Sequence, residues 1–131
     1  MKHIFGIFLA LFVVSGAYAT TATVTEVVDG DTFMATMANK PVRISLINVD
    51  TPELQGRCQK ENELANKAKD RLMELIPEGT KVEVKEAVKD LQGKKIKGNV
   101  KLSDGRDIGE ILIKEKLGRK YDYKIIPNWC E

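Results

Sequence analysis

Two short acidic segments, each ending an apolar β-branched run, constrain the fold of this chain most. The segment Asp-Gly-Asp-Thr at 29–32 ends the first run, and the segment Asp-Thr-Pro-Glu at 50–53 ends a later one. Each segment therefore lies where a predicted strand ends or turns. Asp31 and Asp50 are nineteen residues apart, which is about the length of a hairpin. We expect that hairpin to bring both carboxylates to one pocket.

Carboxylate oxygens at such a pocket are hard ligands, which suit Ca²⁺ or Mg²⁺. Glu53 follows Asp50 closely and is a candidate to activate a water molecule. We expect Asp31, Asp50 and Glu53 to meet at one cation site that is open to solvent. The pattern thus predicts a metal-assisted hydrolase. Either motif alone is also typical of purely structural turns and helix starts.

Residues 1–19 are typical of a secretory signal peptide. Lys2 supplies the positive start, residues 4–14 form an apolar core, and Ala17-Tyr18-Ala19 is a cleavage site of small residues. That core is shorter than the about 20 residues that cross a bilayer, which disfavours the alternative of a retained membrane anchor. Removing 19 of the 131 residues leaves 112, enough for one domain at residues 20–131. We expect a secreted or periplasmic protein without membrane contact after cleavage.

The only histidine, His3, lies within the predicted signal peptide. The mature chain therefore lacks imidazole, which excludes a Ser-His-Asp triad, a Cys-His pair, histidine-ligated zinc and a histidine base. Acid–base chemistry must come from carboxylates, lysines or tyrosines.

The charge of the chain is nearly balanced, with 21 basic and 19 acidic side chains. Loss of Lys2 leaves 20 basic side chains and a net charge of +1, so no global basic field indicates a nucleic-acid binder. A local basic cluster comprises Lys89, Lys94, Lys95, Lys97 and Lys101. It is interpreted either as a solvated loop and strand face or as a stripe that faces phosphates.

Cys58 and Cys130 are the only cysteines. Because an exported protein meets an oxidising compartment, we expect them to form a disulfide, with two free thiols as the alternative. Closing a loop of this length stabilises a chain by about 4 kcal/mol on the chain-entropy model. Their separation excludes a C-x-x-C redox centre.

Residue periodicity predicts five strands and two helices. The strands lie at 21–28, 32–37, 42–49, 82–88 and 96–102, with a turn at Asn39-Lys40. One helix spans 61–75, and a second begins after the cap Asp107, with Glu110 as its partner, and ends at Gly118. The tail from Arg119 onward is predicted to be irregular. This order predicts an α+β, mainly β domain: a five-stranded barrel of the OB type with two helices.

Three segments together resemble the staphylococcal-nuclease-like (thermonuclease) family. They are Val-Asp-Gly-Asp-Thr at 28–32, Ile-Asn-Val-Asp-Thr-Pro-Glu at 47–53 and Asp-Gly-Arg-Asp-Ile-Gly-Glu at 104–110. The similarity covers nearly all of the mature chain, and Cys58 with the terminal Trp129-Cys130 resembles the exported bacterial members. The resemblance implies a monomeric OB-fold nuclease that hydrolyses phosphodiesters of DNA and RNA with Ca²⁺, Mg²⁺ being the less favoured ion.

The same resemblance implies roles for individual residues. Asp31 and Asp50 would supply carboxylate oxygens to the ion, and the carbonyl of Thr51 would be a third ligand. Glu53 would orient or deprotonate the attacking water. So few protein ligands imply a weak site, with a dissociation constant of about 10⁻⁴ to 10⁻³ M. Independently of the resemblance, the few aromatic residues include Tyr121 and Tyr123, which either stack on a base beside the pocket or pack in the core or tail.

The chain departs from the family at two arginines. Ser45 stands five residues before Asp50, where members usually carry a phosphate-clamping arginine, and Arg43 lies roughly 6–7 Å away on the same strand face. The nearest match to the second arginine is Lys94 or Lys95. Lysine keeps the charge but lacks the planar fork that suits a phosphate.

Three interpretations therefore stay open. The first is an exported calcium-dependent nuclease whose activity is reduced by the missing arginines. The second is a catalytically impaired relative, a pseudoenzyme, that binds nucleic acid or a partner protein through the same barrel. The third is a small secreted domain whose acidic cluster is structural.

Overall fold

A computed structural model describes residues 20–131, without the side chains of residues 86 and 87. The predicted signal peptide at residues 1–19 lies outside the described residues. The elements in chain order are β1 (Thr20–Val27), β2 (Thr32–Met37), β3 (Lys40–Leu46), β4 (Val49–Asp50), α1 (Gln59–Leu75), β5 (Lys81–Lys89), β6 (Lys95–Lys101), α2 (Ile108–Lys114) and β7 (Arg119–Lys120). Over residues 20–131, neither helix has the length and apolar character that crossing a membrane would require.

Five of these strands close into a barrel in the order β1-β2-β3-β6-β5, with β1 also paired to β5. All neighbours are antiparallel except β3 and β6, which run parallel. Helix α1 lies in the chain between β3 and β5, where the first helix was predicted. The prediction of an α+β, mainly β chain with a five-stranded OB-type barrel and two helices is confirmed.

Alternating side chains explain how the barrel has both a core and a polar outer face. On β3, Arg43 and Ser45 point outward, and on β6 Lys95 and Lys97 do the same. The residues between them fill the interior: Val42, Ile44, Leu46, Ile96 and Val100. Successive side chains of a strand face opposite sides. Arg43, Lys95 and Lys97 therefore form a row of basic side chains, the cationic row, on the outer face of the barrel where β3 meets β6.

The third strand differs from its prediction. Residues 42–49 do not form one strand, because β3 ends at Leu46 and the backbone bends before β4. The short strand β4 pairs instead with β7, Asp50 lying opposite Arg119. The prediction of a tail that is irregular from Arg119 is therefore wrong for its first two residues. The two-stranded sheet of β4 and β7 therefore fixes the backbone of Asp50.

Several predicted boundaries also shift: α1 begins at Gln59, two residues earlier than predicted, and the ends of β1, β5 and β6 differ by one residue. The turn between β2 and β3 lies at Ala38 and Asn39, whose φ angles are 50° and 64°, as in a type I′ hairpin, and β3 already begins at Lys40. Asp107 caps α2 as predicted, its carboxylate accepting from the Glu110 amide at 3.0 Å. The helix ends at Lys114, not at Gly118.

The predicted disulfide between Cys58 and Cys130 is present and joins residues 72 positions apart. Cys58 is also the N-cap of α1, its sulfur accepting from the Glu61 amide at 3.4 Å. The guanidinium of Arg57 donates to the carbonyl of Pro127 at 3.0 Å. These contacts fix the C-terminal tail beside the loop that precedes α1.

Candidate active site

The first acidic segment forms a tight turn between β1 and β2. The Asp31 amide donates to the Asp29 carboxylate at 3.0 Å, which closes the turn. Gly30 is buried, and a Cβ there would lie 2.7 Å from Cβ of Ala68 on α1. Only glycine therefore allows the turn to pack this closely against the helix. This contact helps to position the neighbouring residue, Asp31.

The Asp31 carboxyl is partly buried within a small polar network. It accepts hydrogen bonds from the hydroxyls of Thr32, at 3.0 Å, and of Thr51. Burial, followed by the neighbouring Asp29, raises the pKa of Asp31 from 3.8 to about 7, against the lowering effect of the two hydroxyls. The network connects the first acidic turn directly to the second acidic segment, because Thr51 follows Asp50.

Ser45 takes part in the same network. Its hydroxyl lies 3.1 Å from the hydroxyl of Thr32. Thr32 has one hydroxyl proton and gives it to Asp31, so Ser45 must donate to Thr32. The residue at the family's arginine position thus orients a hydroxyl that holds Asp31.

Asp50 enters the site from β4. Burial raises the pKa of its carboxyl, and the positive charge of Lys97 partly offsets that rise. Lys97 lies on β6 directly opposite Ser45 in the parallel register. From β6, the lysine therefore supplies positive charge that acts on Asp50.

A cavity of about 500 Å³ lies next to Asp50, and we call it the acidic cleft. Asp50, Thr51 and Glu53 line it together with Tyr121 and other residues of the C-terminal tail. The side chains of Glu53 and Tyr121 are exposed to solvent. Four of the predicted site residues thus share one cleft, which Asp31 approaches through its hydrogen bond to Thr51.

A second cavity, of about 320 Å³, lies on the outer face of β3 and β6, and we call it the basic cavity. Among the side chains that line it are Arg43, Ser45, Lys89, Lys95 and Lys97. Lys97 lines the basic cavity, and its charge acts on Asp50 of the acidic cleft.

The two lysines predicted as alternatives for the second arginine lie in different places. Lys95 lies opposite Arg43 in the strand register and lines the basic cavity. Lys94 lies at the turn before β6, where its amide donates to Asp90 at 2.9 Å and its carbonyl accepts from the Arg43 amide at 2.8 Å. Lys94 contributes backbone contacts there.

The family model of the staphylococcal nuclease homologues matches residues 43–128. The chain belongs to this family. The search of curated proteins found no match. The matched segment contains Asp50, Thr51, Glu53 and Tyr121 but begins after Asp31. In this nuclease homologue, the placement of Asp31 beside Thr51 rests on the structure.

The family is generally calcium-dependent, and the donor atoms of this member fit such an ion. Among the side chains that the structure describes, no three Asp, Glu, His or Cys converge as a metal cluster, so the expected meeting of Asp31, Asp50 and Glu53 at one cation site is not seen. The available donors are two carboxylates, on Asp31 and Asp50, and the carbonyl of Thr51, all hard oxygens of the kind Ca²⁺ prefers. Burial is the main cause of the raised pKa of both carboxyls, with the neighbouring Asp29 adding to it at Asp31.

Sequence reasoning on this nuclease homologue missed two residues near the site. Lys97 was counted within the lysine cluster but was not predicted beside Asp50; its two-residue spacing from Lys95 indicated a shared strand face. Glu61 lines the acidic cleft and is buried, although an acidic residue in the first turn of a helix is ordinarily solvated. No local sequence signal distinguishes Glu61 from the other acids of α1.

Proposed function

We propose that this nuclease homologue is an exported, calcium-dependent nuclease that hydrolyses phosphodiester bonds of DNA or RNA. The observation that carries the proposal is the acidic cleft, in which Asp50, Thr51 and Glu53 lie together. Asp31 is hydrogen-bonded to Thr51, and the charge of Lys97, which lines the basic cavity, acts on Asp50.

Asp31, Asp50 and the Thr51 carbonyl would hold the calcium ion. Bound there, Ca²⁺ would neutralise a phosphate oxygen as negative charge builds on phosphorus. The hydroxyls of Thr32 and Thr51 hold the Asp31 carboxylate in one orientation. The pairing of β4 with β7 does the same for the backbone of Asp50.

Glu53 is the proposed general base. Its side chain is exposed in the cleft, so that water can reach its carboxylate. Its role is to accept a proton from that water while the water attacks phosphorus. A positioned general base contributes about 10² to 10⁴ to a rate. The absence of histidine from residues 20–131 leaves a carboxylate as the natural group for this step.

The basic cavity is the proposed seat of the phosphate backbone. Arg43, Lys95 and Lys97 face outward along it, and such side chains attract phosphates by displacing counterions. Tyr121, on the other side of the site, offers an aromatic face for a base, since stacking is tolerant of sequence. A nucleic-acid strand would then lie between the cationic row and the C-terminal tail.

Export is supported by two features. Residues 1–19 carry the predicted signal peptide, and the chain holds a disulfide between Cys58 and Cys130. Structural disulfides persist in oxidising compartments such as the periplasm and the extracellular space. We propose that the mature protein acts there as a monomer.

One observation favours a second function, that of a catalytically impaired relative which binds nucleic acid or a partner protein. The hydroxyl of Ser45 is engaged with Thr32 and provides no cationic fork for a phosphate. The lysines of the basic cavity offer point charges in place of a planar guanidinium fork. Removing one preorganised donor of this kind typically costs about 10² to 10³ in rate.

The test compares cleavage of single-stranded DNA and RNA by the protein of residues 20–131, with Ca²⁺ and with a chelator. We expect metal-dependent cleavage that Glu53→Gln lowers by about 10² to 10⁴, while Ca²⁺ affinity is retained. The control Glu63→Gln alters an exposed carboxylate on α1. If the protein does not cleave, or if Glu53→Gln cleaves as fast as the unaltered protein, the proposed nuclease function is refuted. Binding without cleavage would support the second function.

A further inference from the structure

Glu61 is a buried carboxylate for which the proposed chemistry has no role. It lies in the first turn of α1 and is only 2% exposed. Burying a carboxylate is costly unless hydrogen bonds or charges compensate it. Its partners therefore reveal what the residue holds in place.

Both oxygens of Glu61 accept hydrogen bonds from the loop that carries Glu53. One oxygen accepts from the Glu53 amide at 3.3 Å, and the other accepts from the Arg57 amide at 3.2 Å. The Arg57 guanidinium adds a longer ion pair at 3.6 Å. These contacts, led by the Arg57 amide, lower the pKa of Glu61, so the carboxylate stays ionised as an acceptor.

The loop is shaped to fit this carboxylate. A Cβ on Gly56 would lie 2.5 Å from Cγ of Glu61, so only glycine permits the approach. The Gly56 amide donates to the side chain of the next residue, Asn62, at 2.6 Å. Residues 53–57 therefore wrap around the first turn of α1, and the disulfide at Cys58 fixes the end of the loop.

We propose that Glu61 is a positioning residue, which holds the loop 53–57 so that Glu53 faces the acidic cleft. The inference rests on the proposed function, in which Glu53 is the general base. An acid in a first helical turn ordinarily stabilises its own helix, whereas Glu61 directs both oxygens to the loop. A misplacement of the base by about 1 Å costs about 10²-fold in rate, so this anchorage acts on kcat.

The experiment is a double-mutant cycle between Glu61→Gln and Glu53→Gln, measured as kcat and KM on single-stranded DNA with Ca²⁺. Glutamine keeps the size of the side chain but replaces one acceptor oxygen by a donor, so one loop amide loses its partner. We expect Glu61→Gln to lower kcat by about 10- to 100-fold with little change in KM. In the Glu53→Gln background the same substitution should change kcat by less than about twofold.

Two further variants keep the test decisive. Gly56→Ala displaces the same loop while Glu61 keeps its charge, so we expect a loss of kcat that also disappears in the Glu53→Gln background. Glu63→Gln makes the same chemical change at an exposed position of α1 and should leave kcat unaltered. Urea unfolding of every variant gives the folded fraction used to correct kcat.

The outcomes separate the inference from the function beneath it. An equal loss of kcat in both backgrounds, or full kcat in Glu61→Gln and Gly56→Ala, would overturn the positioning role and leave the nuclease intact. A kcat that Glu53→Gln does not change would overturn the proposed function, and the positioning role with it.

Discussion

Calcium binding to this protein should depend strongly on pH, because its proposed ligand Asp31 titrates near neutrality. In the metal-free protein, burial and the adjacent Asp29 raise the pKa of Asp31 to about 7. A carboxyl must lose its proton before it can bind a cation, so protons and Ca²⁺ compete for this group. Below that pKa, calcium binding should weaken further with each unit by which the pH is lowered.

The size of the effect follows from the pKa. With the pKa of Asp31 at about 7, about a tenth of the carboxyl is ionised at pH 6 and about nine tenths at pH 8. The dissociation constant for Ca²⁺ should therefore be about tenfold higher at pH 6 than at pH 8. Binding should release about one proton per ion at pH 6 and almost none at pH 8.

Isothermal titration with CaCl₂ in two buffers of different ionisation enthalpy measures both quantities. Asp29→Asn is the informative variant. Asparagine keeps an oxygen that can accept from the Asp31 amide, the contact that closes the turn at 3.0 Å, but removes the negative charge. The pKa of Asp31 should fall, and the difference in affinity between the two pH values should shrink.

The same linkage fixes the sign of the stability change. Because the folded-state pKa of Asp31 lies above 3.8, the free energy of unfolding of the metal-free protein should fall as pH rises from about 4 to about 7. Adding Ca²⁺ at pH 8 should restore it. Equal affinities at pH 6 and pH 8, with no proton release at pH 6, would refute the assignment of Asp31 as a buried ligand.

Three further perturbations test other parts of the site. Ser45→Arg should raise the cleavage rate by about 10²-fold if a phosphate clamp is missing. Ser45→Ala removes only the hydroxyl and should not raise the rate. If Ser45→Arg cleaves no faster than the unaltered protein, this explanation is refuted. Replacing Cys58 and Cys130 by serine should lower the free energy of unfolding in urea by about 4 kcal/mol, and an unchanged midpoint would contradict a structural disulfide. Tyr121→Ala should raise KM for single-stranded DNA about tenfold, whereas an unaltered KM would place Tyr121 outside the substrate path.

The elements that sequence predicted well are those whose signal is local. Strands β1 and β2 follow the alternation of buried and exposed residues, and α1 follows the spacing of its apolar face. The cap Asp107 is a short-range signal too, because its carboxylate bonds an amide three residues away. Each of these patterns is dictated by side-chain direction within one element.

The division of the third strand could not be predicted in the same way. Residues 42–49 include five β-branched or apolar residues, which alternate with polar ones as far as Leu46, and this pattern favours a continuous strand. The division arises because β4 pairs with β7, about seventy residues later in the chain. Propensity yields here to a long-range pairing, and that pairing moves Asp50 out of the barrel sheet and into the cleft.

The candidate site shows the same contrast. The acidic segments at 29–32 and 50–53 were recognisable because turns and clustered carboxylates leave a short-range signature. Glu61 leaves none, since its partners are backbone amides of Glu53 and Arg57, and every residue type carries such an amide. A residue that accepts hydrogen bonds from two amides of the loop is thus one that its sequence neighbourhood does not mark.

Lys97 bears on how the missing arginine is to be understood. It lies opposite Ser45 on the adjacent parallel strand and acts electrostatically on Asp50. The positive charge that the resemblance led us to expect at position 45 on β3 is therefore partly supplied here from β6. An ammonium group attracts a phosphate without fixing its orientation, whereas a guanidinium does both. This arrangement favours an enzyme that retains substrate affinity and loses mainly kcat, so Ser45→Arg should act on kcat more than on KM.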